Sequence, residues 1–140
     1  MYVSVIVPTR NHCESLRNTI ASLQQLNFPN DVYEIIIIDN NSMDDTRRVV
    51  EERKQQGKKE IIYCKELRVG LHYARHAGAK IAKGDILAYT DDDVICDPDG
   101  LQSSRGLMPI LKWDVSVERF SLVLKQKSRR GPNTLISSMS

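Results

Sequence analysis

The first hundred residues predict an α/β fold: three layers, with a mostly parallel sheet covered by helices on both faces. Three observations carry that prediction. Short β-branched or aliphatic runs recur along the chain, helix-period stripes separate them, and the second run, residues 35–38, is unbroken isoleucine. A strand that is apolar throughout is the pattern of a parallel strand buried on both faces, whereas a strand with one wet face alternates. The order β-α-β-α-β-α-β then implies right-handed crossovers.

The first strand is read at residues 3–7, closed by Pro8. Asn11 with Glu14 three residues on resembles a capping box, and Leu16, Ile20, Leu23 and Leu26 follow as one apolar stripe. After the second strand, Ser42 with Asp45 offers another capping box before Val49 and Val50, and that helix runs out at polar residues around Gln55 and Gly57. Residues 61–64 and 86–89 are the third and fourth strands. Between them Leu71, Ala74, Gly78 and Ile81 trace a stripe whose small members suit close approach to a sheet, and Gly84 suits the end of that helix.

Composition bounds the function. The chain has 140 residues, 41% apolar and 27% charged, which fits one soluble domain rather than collagen, coiled coil or wholesale disorder. The longest aliphatic run is four residues, far below the roughly 20 of a bilayer span. No basic-then-apolar leader opens the chain, so a cytoplasmic protein is the expectation. Cys13, Cys64 and Cys96 are odd in number and widely spaced, which argues against a disulfide framework or a zinc ribbon and reads as buried thiols. The net charge of +2 hides an asymmetry: residues 1–100 carry 13 basic and 16 acidic side chains, residues 101–140 carry 7 and 2. Serine rises from four to eight across the same boundary. The division expected is a patterned body, residues 1–101, and a basic, Ser-rich segment, residues 102–140, partly ordered or disordered. A short strand is read within residues 115–124.

In doubly covered parallel sheets, ligands sit outside the carboxyl ends of the strands. The segments leaving the four strands are Thr9-Arg10-Asn11, Asp39-Asn40-Asn41-Ser42, Glu66-Leu67-Arg68 and Asp91-Asp92-Asp93, and the topology brings all four to one edge. Three adjacent carboxylates repel one another and call for a compensating cation. In an extended segment Asp91 and Asp93 face one way and Asp92 the other. Two oxygen ligands with open coordination positions describe Mg²⁺ or Mn²⁺ holding a diphosphate. Asp39 and Asn40 suit a base edge or ribose hydroxyls, Asp44 suits support of the same loop, and Arg68 or Arg75 suits neutralisation of a diphosphate.

Other motifs fail. The chain has no GxxxxGK[ST] and no GxGxxG, which weighs against P-loop and dinucleotide-binding enzymes. The stretch ending Asp97-Pro98-Asp99-Gly100 has Ile95 and Gly106 where a calcium loop needs its first and twelfth ligands. His72 and His76 share a helix face, but Tyr73 stands where a metalloprotease needs Glu, so a solvated face is the reading.

The segments VSVIVPTRN, IIIIDNNSMDDT, VGLHYARHAGAKIAKGDILAYTDDDV and DPDGL, within residues 2–101, resemble in order the nucleotide-sugar-binding half of inverting family 2 glycosyltransferases of the Rossmann-like GT-A fold. The resemblance implies a nucleoside-diphosphate sugar donor, UDP or GDP type, and a divalent metal, Mg²⁺ or Mn²⁺. It implies that Pro8, Thr9 and Asn11 line the nucleoside pocket, that Asp39 and Asn40 contact base or ribose, and that Arg75 lies near base or diphosphate. Asp91, Asp92 and Asp93 would take the family's DXD-type roles, Asp93 and Asp91 at the metal and Asp91 and Asp92 at the donor. Asn40 replaces a frequent second Asp, Arg68 a frequent Asn, and Gly100 a frequent large residue. The likeness ends at Leu101, ahead of the family's acceptor half and its carboxylate base. A truncated fold holding the donor half is therefore expected, with the base, the acceptor and the oligomeric state unassigned. Two rivals remain: a nucleotidyltransferase, disfavoured because residues 8–11 hold no glycine, and a non-catalytic nucleotide- or anion-binding module. Lys125, Lys127, Arg129 and Arg130 allow peripheral association with an acidic membrane, at its inner face, but no specific nucleic-acid recognition.

Overall fold

The predicted runs form strands in the computed structural model: β1 (Val3–Thr9), β2 (Tyr33–Asp39), β3 (Ile61–Lys65) and β4 (Ile86–Tyr89). The structure describes residues 2–27, 29, 32–57 and 59–99, and beyond them the backbone of β5 (Lys112–Asp114), β6 (Arg119–Val123), β7 (Lys125–Gln126) and β8 (Thr134–Leu135). Helices α1 (Cys13–Gln24), α2 (Thr46–Gln56) and α3 (Leu71–Ile81) connect the first four strands. Six strands make one sheet in the order β3-β2-β1-β4-β6-β5, parallel except for β5, while β7 and β8 pair separately. The chain works outward from β1 to β3, then crosses to the other side of β1 to lay down β4. The strand order therefore reverses between β1 and β4, the crevice where such sheets take ligands.

Period-two alternation sends side chains to two cores. Val3, Val5, Val7, Ile35 and Ile37 meet Leu16, Ile20 and Leu23 of α1 and Val50 of α2 on one face. Ile6, Ile36, Ile38, Leu87 and Tyr89 meet Ala74 and Ala79 of α3 on the other. All four isoleucines of residues 35–38 are 0% exposed, as an interior strand requires. At about 1.5–3 kcal/mol for each fully buried aliphatic side chain, β2 is the hydrophobic anchor of the sheet. Gly78 marks the closest approach of α3, since a Cβ there would lie 2.5 Å from Ile6 Cγ2.

Several local expectations need correction. β1 continues through Pro8 to Thr9, because Pro8 pairs with Ile38 along a parallel ladder whose partner is β2. Neither capping box forms. The N-caps are His12 and Asp45, neither of which makes a side-chain capping bond, while Asn11 and Ser42 are drawn into contacts between loops. The α3 stripe is buried only at its small members; Leu71 and Ile81 are exposed. The C-cap of α3 is Ala82, and Gly84 instead packs on β1, its N–H donating to Ser4 Oγ at 2.7 Å. Only Cys96 is a buried thiol; Cys13 and Cys64 are half-buried, because they lie at a helix start and on a sheet-edge strand. β6 falls inside the stretch read as a strand, β5, β7 and β8 also lie within residues 102–140, and the remaining positions of that segment lie outside the described residues.

Candidate functional site

The loops after β1 to β4 meet at the carboxyl edge because side chains in one stitch the backbone of another. Asn11 takes a left-handed conformation (φ 54°), which Asn tolerates well. Its N–H donates to Ser42 Oγ at 3.0 Å and its Oδ1 accepts from Met43 N at 2.7 Å. Asp44 accepts from Cys13 N and Thr46 N, both at 3.1 Å, so one carboxylate serves the starts of α1 and α2. Burial would raise that carboxyl, but the bonds from Thr46 and Cys13 together hold it below its ordinary range.

Asp39 is 3% exposed, and both its oxygens are engaged, by Ser42 N at 2.9 Å and by the Tyr63 hydroxyl at 2.5 Å. Burial first, and then that bond, push the Tyr63 hydroxyl well above its usual range. Asn40 spends its amide on the loop before α3. It donates to the carbonyls of Glu66 at 3.1 Å and Arg68 at 2.7 Å, and accepts from Gly70 N at 2.9 Å. Gly70 itself has φ 150°, and a Cβ there would press on His72 and Tyr73 at 3.1 Å. Glycine is the residue this backbone admits at little cost.

The triplet is not extended. Residues 92–93 form a turn, so simple alternation does not apply. Asp91 is half-buried and Asp93 exposed, while Asp92 turns inward, 9% exposed, accepting the Thr9 hydroxyl at 2.8 Å and meeting His12 Nδ1 at 3.0 Å. Burial, then repulsion from Asp93, push the Asp91 carboxyl above its usual range; Arg75 pulls the other way, and Asp92 adds repulsion. The segment after the triplet is fixed to α1, with Thr19 Oγ1 donating to Val94 O at 2.8 Å and Cys96 N to Ser22 Oγ at 3.0 Å.

Together these loops enclose a pocket of about 410 Å³ at the β1–β4 reversal. That volume suits a small organic ligand. Of the residues expected at a site, Pro8, Thr9, Asn40, Asp91, Asp92 and Asp93 line it; Asn11, Asp39 and Arg75 do not. Asn11 and Asp39 brace the loops instead, and the Arg75 guanidinium lies 6.0 Å from the centre of the Tyr89 ring. Arg68 is turned to Glu66 at 2.6 Å and over the Tyr73 ring. Sequence reasoning missed Arg10, His12, Val69, Gly70, Leu71 and Ala74 as lining residues. The position of the loops at strand ends was the available signal, but an isolated histidine and an apolar loop carry no pattern of their own. The wall is thus apolar at Pro8, Val69, Leu71 and Ala74, cationic at Arg10 and anionic at the triplet, a combination that suits a flat ring beside a charge-bearing group.

The donor set also tests a divalent ion. Among the described residues no three His, Cys, Asp or Glu side chains converge as a cage. A Mg²⁺-like ion is commonly held by one or two carboxylates plus substrate phosphates, and a half-buried Asp91 crowded by Asp93 fits that arrangement.

Known proteins are similar to this chain in sequence or in fold. Glycosyltransferase AglE of Haloferax volcanii is 28% identical over 121 residues, 78% of this chain and 35% of that protein. The structure of S. aureus TarS 1-349 in complex with UDP superposes with a TM-score of 0.71 at 25% identity, covering 78% of this chain and 32% of that one. Mannosyltransferase PcManGT from Pyrobaculum calidifontis, in complex with GDP-Man and Mn²⁺, gives 0.71 at 25% identity, covering 76% and 32%. The chain spans about a third of the length of each. The fold is GT-A, as the resemblance implied. Residues 4–108 match glycosyl transferase family 2, and with the reversal-point pocket and the acidic triplet in place, the chain belongs to that family.

Proposed function

We propose that this chain forms the donor-binding portion of a metal-dependent, inverting glycosyltransferase that moves a sugar from a nucleoside-diphosphate sugar to an acceptor hydroxyl. The observation that carries the reading is the pocket at the β1–β4 reversal, lined both by apolar residues and by the triplet. The base would lie along Pro8, Val69 and Leu71, and the diphosphate would lie toward Asp91 and Asp93, which would hold the ion. A bound Mg²⁺ or Mn²⁺ would neutralise charge on the departing diphosphate as a Lewis acid. Asn40 and Gly70 keep the apolar loop against the pocket, and Asp44 fixes the two helix starts beside it. TarS with UDP and PcManGT with GDP-Man and Mn²⁺ support both the donor class and the ion. The base that deprotonates the acceptor lies outside this assignment.

Isothermal titration of the chain with UDP and GDP sugars, with and without Mn²⁺, tests the reading. Metal-dependent heat with one nucleotide class is expected; no heat with any would overturn it.

A further inference from the structure

The pocket wall holds a histidine braced by a buried carboxylate. Asp92 Oδ2 takes the Thr9 hydroxyl at 2.8 Å and His12 Nδ1 at 3.0 Å. The side chain of His12 is 60% exposed while that of Asp92 is 12% exposed. An ionised carboxylate only accepts, so Nδ1 carries the proton in that contact. In the neutral ring, Nε2 then bears a lone pair and no hydrogen. His12 caps no N–H of α1 with its side chain, so capping does not account for its orientation. Phosphate oxygens are acceptors as well and give Nε2 nothing to bind. The groups on a nucleoside diphosphate that can donate are ribose hydroxyls and base N–H groups.

We propose that Asp92 is a positioning residue rather than a ligand of donor or metal, and that it holds His12 so that Nε2 accepts a hydrogen bond from a donor group of the nucleoside. The identity of the ligand rests on the donor-site reading above; the pairing of Asp92 with His12 does not. Asp92 thereby separates from its neighbours in the triplet: Asp91 and Asp93 serve the charged end of the ligand, and Asp92 serves the nucleoside end through a second side chain. Direct donor contact, the role expected of Asp92 from the motif, gives way to an indirect one that a carboxylate count along the triplet does not reveal.

Two measurements on the 140-residue chain test this. Nitrogen–carbon correlation NMR of the His12 ring should show the Nδ1–H tautomer in the wild type. In Asp92→Ala, which leaves Nδ1 without its acceptor, the ring should lose that preference and populate both neutral tautomers. Titration with UDP or GDP, whichever the wild type binds with Mn²⁺, should be about tenfold weaker for His12→Ala and for Asp92→Ala, the worth of about one hydrogen bond. The double variant should be no weaker than either single one, and His12→Gln, whose carbonyl oxygen also accepts, should recover part of the loss. On the wild type, a 2′-deoxy or 3′-deoxy analogue losing the same factor identifies a ribose hydroxyl as the partner, and a base-methylated analogue losing it identifies the base N–H. An Nε2–H tautomer in the wild type overturns the pairing whatever ligand binds. Full affinity of the wild type for all these analogues overturns the contact, and failure of the wild type to bind any nucleotide overturns the ligand and the donor reading together.

Discussion

Two buried carboxylates lie at opposite ends of the same sheet, and each accepts a hydroxyl from β1. At the amino end Glu34, 0% exposed, accepts the Ser4 hydroxyl at 2.6 Å and Lys83 N at 2.8 Å. At the carboxyl end Asp92 accepts the Thr9 hydroxyl at 2.8 Å and faces the exposed ring of His12. The local chemistry is nearly the same, but the surroundings differ. Ser4 also accepts from Gly84 N, so the Glu34 cluster closes on backbone between α3 and β4 and is not among the residues that line the pocket at the β1–β4 reversal. The Asp92 cluster opens onto one. A hydroxyl–carboxylate pair therefore says nothing of function by itself; what it leads to decides whether it staples the fold or serves a ligand.

The contrast is broken most sharply at its closed end. Glu34→Ala removes the acceptor of a buried hydroxyl and of the Lys83 N–H and leaves a cavity, and should cost about 2–4 kcal/mol in denaturant unfolding. Glu34→Gln keeps Oε1 and should cost far less. Neither should change nucleotide affinity where the protein is folded.

At the open end Asp91→Asn should weaken metal-dependent nucleotide binding about 100-fold by titration. Its effect on stability should have the opposite sign. Because the folded state raises the Asp91 carboxyl, the native protein holds that proton more tightly than the unfolded chain, so stability falls as pH rises from the ordinary carboxylate range through the folded value. Above that window the variant should unfold no earlier than its parent, and its thermal stability should depend less on pH.

Between these extremes, Gly70→Ala forces a Cβ into a left-handed backbone beside His72 and Tyr73, for about 1–2 kcal/mol. Hydrogen exchange should rise across residues 66–70 and stay unchanged in β2. The smallest effect is expected at Asp44, an exposed carboxylate screened by solvent. Asp44→Asn should cost about 0.5–1 kcal/mol as a cap. Its pH dependence runs opposite to that of Asp91: the depressed carboxyl stabilises above the ordinary carboxylate range, and that contribution is lost as pH falls through the folded value.

Much of the scaffold was legible in the sequence because long-range burial leaves a local mark. The isoleucine run of β2 and the stripe Leu16, Ile20, Leu23 and Leu26 each announce their neighbours. The helix starts were misread because loops compete for the same polar groups: Asn11 and Ser42 bond across two loops rather than to the helices they precede. The convergence of strand ends was legible from topology alone. The inward turn of Asp92 was read only as alternation along an extended segment, since a turn at residues 92–93 and a histidine 80 positions away decide where Asp92 points. The bracing role of Asn40 was not legible, since its partners are backbone groups that no side-chain motif encodes.

The carboxyl edge, and not the chemically similar amino edge, is the one expected to take a metal and a nucleotide. Paramagnetic broadening of amide signals by Mn²⁺, in the presence of the nucleoside diphosphate that the chain binds, tests that most directly. Broadening should centre on Asp91, Asp92 and Asp93 and spread to Thr9 and Gly70, with Ser4, Glu34 and Gly84 sharp. Broadening centred on Ser4, Glu34 and Gly84, or none at the triplet with nucleotide bound, would contradict it.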